Sequence, residues 1–153
     1  MTSGAWIAVG AVALALVVGV WRLVTDGRFR GTHVVRQAAP VVEEGRSPAT
    51  RTPGADLVES VGEQLGERAT LLQFSSAFCA PCRATRRVLG EVTSLVEGVA
   101  HVEVDAEHHL DATRTFGILR TPTTVVLDAH GVEVTRATGA PSRDQVLTAL
   151  AQV

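Results

Sequence analysis

A chain of 153 residues with 14 basic and 16 acidic side chains has room for one domain of about 100 residues plus a shorter appendage. Its near-neutral balance gives no electrostatic footprint for a nucleic-acid partner. Every basic residue is arginine and tyrosine is absent, a bias that fits codon usage in a high-GC genome better than any chemical need. Two cysteines are too few for a disulfide scaffold and, alone, for a structural zinc site, so a redox pair remains.

Residues 2–21 carry no charged side chain, and Ala5 to Trp21 is almost wholly apolar. At about 1.5 Å per residue, a helix from Ala5 to Val24 spans roughly 30 Å, the thickness of a bilayer core. Trp6 and Trp21 stand at its ends as interfacial aromatics do, and Arg22 can snorkel to the headgroups. Residues 1–24 are therefore predicted to form a single-pass transmembrane anchor. A cleaved signal peptide would carry its positive region before the apolar run, and here that order is reversed. Arg22, Arg28, Arg30 and Arg36 all follow the run, so the positive-inside rule places the rest of the chain in the cytoplasm, with an extracytoplasmic domain as the alternative. Residues 25–54 lack sustained periodicity and end in Thr52-Pro53-Gly54, which reads as a flexible tether with one short candidate strand at Thr32–Arg36.

From Ala55 the pattern becomes globular. Leu57, Val58, Val61 and Leu65 predict a short helix closed by Gly66, and Thr70–Ser76 a buried strand. Arg83–Val96 shows helical spacing, with Val88, Leu89, Val92, Leu95 and Val96 on one side. Val99–Asp105 alternates as a second strand, and Glu107–Phe116 is a further helix stopped by Gly117. Thr123–Leu127 and Val132–Thr138 form a hairpin around Asp128-Ala129-His130-Gly131. Ser142 caps a last helix that buries Val146, Leu147 and Leu150. Strand–helix–strand–helix followed by hairpin–helix is an α/β arrangement, a mixed central sheet with helices on both faces.

Cys79-Ala80-Pro81-Cys82 falls where the first of these strands runs into a helix. Unpaired N–H groups and the positive dipole end there favour a thiolate. Cys79 is the expected nucleophile, and Cys82, three residues on, is close enough to close a disulfide with it. Pro81 suits a first turn, where a missing N–H costs little.

The stretch Phe74-Ser75-Ser76-Ala77-Phe78-Cys79-Ala80-Pro81-Cys82-Arg83, together with Val104-Asp105, Phe116–Thr123, His130-Gly131 and Gly139, resembles the thioredoxin superfamily over residues 55–153. With the anchor included, the chain is similar to bacterial membrane-tethered thioredoxin-like proteins. The resemblance implies a cis Thr121–Pro122 bond beside the cysteines, which leaves the Thr121 backbone able to pair with an extended substrate segment. It also implies a substrate surface built from Phe78, Ala80, Pro81, Thr121 and Pro122, with Phe78 where thioredoxins commonly carry tryptophan. The implied activity is protein thiol–disulfide exchange: Cys79 attacks a substrate disulfide and Cys82 resolves the mixed disulfide.

Two positions depart from the pattern. Gln73 stands where the family has a buried aspartate that helps deprotonate the second cysteine, so a water or another group must take the Cys82 proton. Arg87 stands where the helix often has a kinking proline. Partners implied are protein substrates with disulfides or dithiols, a redox protein that donates or accepts electrons, and the membrane; no cofactor is implied. Arg83, Arg86 and Arg87 read as a solvated helix face, with a lowered Cys79 thiol or selection of acidic partners as the alternative. His101, His108, His109 and His130 read as surface and capping residues, with a tetrahedral metal set shared with the two thiolates as the alternative, and Asp105 and Glu107 as ending a strand and starting a helix. Two other functions compete: copper delivery through the cysteines and a histidine, and a redox-inert adaptor.

Overall fold

The computed structural model describes residues 3–25, 29–31 and 51–153. Its helices are α1 (Ser3–Thr25), α2 (Pro53–Ser60), α3 (Ala80–Thr93), α4 (Leu110–Thr115) and α5 (Arg143–Leu150); its strands are β1 (Phe29–Gly31), β2 (Ala69–Ser75), β3 (Val99–Asp105), β4 (Thr123–Asp128) and β5 (Glu133–Thr138).

All seven residues of β2 are buried, because this strand lies inside the sheet with layers on both of its faces. The strand order is β1-β5-β4-β2-β3. β2 runs parallel to β3 and antiparallel to β4, while β5 pairs antiparallel with β4 and with β1. The parallel pair needs a crossover, and α3 supplies it. On one face Leu72, Phe74, Val102, Val104, Val125 and Leu127 pack with Leu57 and Val58 of α2 and with Phe116 and Ile118. On the other, Leu71 and Val126 meet Leu89 and Val92 of α3 and Val146, Ala149 and Leu150 of α5. Helices on both faces of a mixed sheet are what the residue pattern led one to expect.

Local chemistry sets the ends of these elements. Ser142 accepts from the Gln145 N–H while the Gln145 side chain accepts from the Ser142 N–H, a reciprocal cap at the start of α5. Thr52 caps α2 and also donates to the His130 carbonyl at 2.7 Å. That contact presses α2 onto the β4–β5 turn so closely that a Cβ on Gly131, at φ +77°, would lie 2.6 Å from the Ala55 nitrogen.

Several expectations shift. The cysteine-bearing helix starts at Ala80 and ends at Thr93, so Leu95 and Val96 lie beyond it, and Leu95 is exposed. The helix expected over Glu107–Phe116 shrinks to Leu110–Thr115, because the Asp105 carboxylate accepts from the Glu107 N–H and the Asp105 carbonyl from those of His108 and His109, holding them in a turn. Phe29–Gly31, inside the stretch read as a tether, lies along β5 with Phe29 opposite Ala137. The candidate strand Thr32–Arg36 lies outside the described residues, as do Arg28 and most of the segment 25–54.

The apolar N-terminal run is helical, and its side chains from Trp6 to Arg22 are exposed. The expected span is not shown, however: among the described residues no helix is long and apolar enough to cross a membrane.

Candidate active site

β2 ends at Ser75, and a short loop carries the chain to Cys79, the N-cap of α3. The cap is made by sulfur: Cys79 Sγ accepts from the Cys82 N–H at 3.1 Å. Ala80 and Pro81 open the helix at positions whose N–H groups have no partner within it. Cys79 and Cys82 are joined by a disulfide with 5.2 Å between their Cα atoms. The two ends of that bond differ in exposure, since Cys79 is partly open to solvent and Cys82 is 2% exposed. An incoming thiolate or disulfide therefore meets Cys79, and in the reduced state the helix dipole and the donors of the first turn favour negative charge there.

The second loop of the site comes from the far side of the sheet. The Thr121–Pro122 bond is cis, with Pro122 buried and Thr121 half-buried. Two contacts set it beside the cysteine loop: the Thr121 and Ser76 hydroxyls lie 3.1 Å apart, and Thr123, the first residue of β4, pairs with Phe74 of β2. The Pro122 carbonyl accepts from the Gly139 N–H at 2.8 Å. Phe78 at 99% and Leu119 at 97% exposure are large apolar side chains left open to solvent. Of the residues that the resemblance assigns to a docking surface, Phe78, Ala80 and Pro81 are exposed, Thr121 is half-buried and Pro122 is buried; Leu119 was not among them.

Beneath Cys82 lies a polar network that residue spacing alone did not reveal. Gln73 is fully buried, and its amide nitrogen donates to the Cys82 carbonyl at 3.1 Å and to Ser75 Oγ at 2.7 Å. Because a carbonyl can only accept, this settles which way the amide points, so the Gln73 oxygen accepts from His101 Nε2 at 3.1 Å. Ser75 in turn donates to Glu103 Oε1 at 2.6 Å. Arg86 of α3 grips the same carboxylate with two nitrogens, Nε at 2.5 Å from Oε2 and a terminal nitrogen at 2.7 Å from Oε1, the forked geometry that suits guanidinium and carboxylate.

These contacts bias the ionisable groups. Burial pushes the Glu103 carboxyl up, but hydrogen bonds from Arg86 and Ser75 and the charges of Arg86 and His101 outweigh it, leaving Glu103 below its ordinary value. Burial holds the His101 imidazole below its usual value, with Arg86 adding to the effect and Glu103 opposing it. Glu103 hydrogen-bonds the Arg86 guanidinium and raises it further. At neutral pH the network thus contains a carboxylate, a guanidinium and a neutral imidazole. A cleft of about 400 Å³ opens over it, lined by Cys79, Cys82, Ser75, Arg83, Arg86 and Glu103 among others.

Arg83 and Arg87 lie on the exposed face of α3 as expected, but Arg86 does not simply face solvent. The signal for Glu103 was present in β3: His101, Glu103 and Asp105 alternate against Val102 and Val104, and Gln73 pairs with Glu103 in register. Asp105 ends β3, where its carboxylate accepts from the Glu107 N–H and meets His108 Nδ1 at 2.9 Å; the first of these contacts is the main reason it sits below its ordinary value. His109 precedes α4 and His130 lies in the β4–β5 turn. Among the described residues, no three His, Cys, Asp or Glu side chains form a group able to hold a metal ion.

The sequence profile of the thioredoxin-like domain matches residues 58–153, well over half of the chain. Among solved structures, the thioredoxin of Fasciola hepatica is 25% identical over 65% of this chain and 93% of its own, with a TM-score of 0.53. The thioredoxin of Malassezia sympodialis is 21% identical over 66% of this chain and 86% of its own, with a TM-score of 0.51. A mutant thioredoxin of Halobacterium salinarum is 19% identical over 55% of this chain and 73% of its own, also with a TM-score of 0.51. No curated protein matches the chain. These findings carry the superfamily and do not extend to the narrower likeness to bacterial membrane-tethered members.

Proposed function

Because the chain belongs to the thioredoxin-like family, we propose that it is a protein thiol–disulfide oxidoreductase that works as a disulfide reductase, associated with a membrane through α1. The observation that carries the reading is the Cys79–Cys82 pair at the start of α3, set against the cis Thr121–Pro122 loop. In the reduced enzyme the Cys79 thiolate attacks a substrate disulfide, forming a mixed disulfide and releasing one substrate thiolate. Cys82 then attacks Cys79 sulfur and releases the second. The Thr121 backbone and the open Phe78 ring offer an extended substrate segment a strand-like partner and an apolar rest.

Membrane association is supported by the apolar composition of α1 and the exposure of its side chains from Trp6 to Arg22. The arginines that follow favour a cytoplasmic domain, where thiols are kept reduced and a reductase has its electron supply. The partners are then proteins bearing disulfides and a redox protein that returns electrons to the pair.

The full-length chain in detergent micelles should reduce insulin disulfides with dithiothreitol as electron source, and Cys79→Ser should abolish the activity. Equal turnover by the serine variant would refute the enzymatic reading. A reduction potential near about −270 mV supports the reductase assignment, whereas one near about −120 mV makes the protein an oxidant. A reporter fused at Val153, active on one side of the membrane only, tests the orientation.

A further inference from the structure

The resolving step has a proton to dispose of, and the residue buried beneath Cys82 cannot receive it. Gln73 is an amide whose nitrogen already donates to the Cys82 carbonyl, and an amide does not accept a proton near neutral pH. His101 is separated from Cys82 by Gln73, with its Nε2–H committed to the Gln73 oxygen. Two carboxylates line the cleft over the sulfur, Glu103 and Asp105. Asp105 is engaged with the turn that follows β3, through the Glu107 N–H and His108. Glu103 is the one that the network addresses from the cysteine side.

Resting on the redox reading above, we propose that Glu103 of β3 is the proton acceptor for Cys82, receiving the resolving thiol's proton through water in the cleft that both residues line. The donors run in one direction toward it. His101 donates to Gln73, Gln73 to Ser75, and Ser75 to Glu103, so the two groups between the imidazole and the carboxylate only pass hydrogen bonds toward Glu103 and take no proton from it. A cleft of about 400 Å³ holds several waters, each needing roughly 30 Å³. Arg86 keeps Glu103 ionised at neutral pH, which leaves it ready to accept at every turnover, and its weak basicity ensures that the proton moves on to solvent.

The step balances. The Cys82 S–H bond breaks as the Cys82–Cys79 bond forms, and the electron pair of the mixed disulfide departs with the substrate sulfur as a thiolate. The proton passes by water to Glu103 and then to solvent or to that thiolate. The cysteine pair is oxidised and the substrate disulfide reduced. The charged and titratable groups facing Glu103 are Arg86 and Arg83 from α3, His101 and Asp105 from its own strand, and the two cysteines across the cleft; β2 contributes the neutral Gln73 and Ser75.

Proton transfer and simple electrostatics predict opposite signs, which makes the assignment testable. Glu103→Gln removes an anion and leaves the Arg86 cation uncompensated; by charge alone this lowers the Cys82 thiol and speeds resolution. Loss of the proton acceptor slows it. Reduced full-length protein in micelles is mixed with a chromogenic aryl disulfide, which releases one coloured thiolate when Cys79 attacks and a second when Cys82 resolves. The second phase of E103Q should be slower by about a hundredfold or more, within the range that acid–base catalysis contributes. It should also become steeply dependent on hydroxide between about pH 6 and pH 8, where the parent is nearly flat. Glu103→Asp should recover part of the loss. A second phase in E103Q that is unchanged or faster overturns the proposal, as does equal slowing of both phases, which marks a structural effect. A parent protein that releases no coloured thiolate overturns the redox reading itself.

Discussion

The two faces of β2 differ in chemistry, although their residues alternate along one strand. Leu72 and Phe74 face a wholly apolar layer made by α2, β3 and β4, where Phe74 meets Phe116 with ring centroids 5.6 Å apart. Leu71, Gln73 and Ser75 face α3, and along that line the chemistry turns from apolar to polar as the strand nears Cys82. One face holds the sheet together, and the other supplies hydrogen bonds beneath a sulfur. A period-two strand can do both because each side chain reports to its own layer.

Truncating the apolar face should break the fold before it touches the chemistry. Phe74→Ala is expected to cost about 3–5 kcal/mol from lost burial and the cavity left behind, read as a lower midpoint in urea unfolding. On the other face, Gln73→Leu keeps the volume but removes a side-chain donor to the Cys82 carbonyl and the partner of a ring nitrogen of His101. It should cost about 1–3 kcal/mol and alter the resolving phase more than the attack by Cys79, a split that stopped-flow kinetics would resolve.

Acid should act through the polar face. His101 and Glu103 are both depressed in the folded protein, so in each case the unfolded chain binds the proton more readily. The His101 contribution is complete above its unfolded value, about 6.5, and declines as pH falls toward its folded value; the Glu103 contribution declines in turn from about 4.3 downward. Urea midpoints measured from about pH 7 down to about pH 2 should therefore fall in two stages, and His101→Gln should remove the upper one. A control away from the cysteines sets the scale: Ser142→Ala should cost about 1 kcal/mol through the lost cap of α5, with both kinetic phases unchanged.

The legible parts of this architecture were those with local causes. Val99–Asp105 alternates because one of its faces is buried, and it is the strand observed. The hairpin turn at Asp128–Gly131 and the Ser142 cap follow from side chains that act within a few residues of themselves. What escaped depended on register between distant segments. Nothing in the residues flanking Glu103 reveals that it pairs with Gln73 and receives Arg86 from the crossover helix. The same holds for Phe29–Gly31, whose place on β5 is a long-range choice without periodicity to announce it. Helix starts were displaced for a local reason that spacing misses, since Cys79 caps α3 with its own sulfur and so the first turn begins at Ala80.

The attachment of β1 has a mechanical consequence. It joins the sheet through three residue pairs on the outer side of β5, with β5 and β4 between it and β2. A pull on the N-terminal segment is borne first by this short zipper, which can peel away pair by pair while the strands beyond it stay seated. The joint would act as a fuse, yielding under load and sparing the sulfurs that follow β2, three strands away.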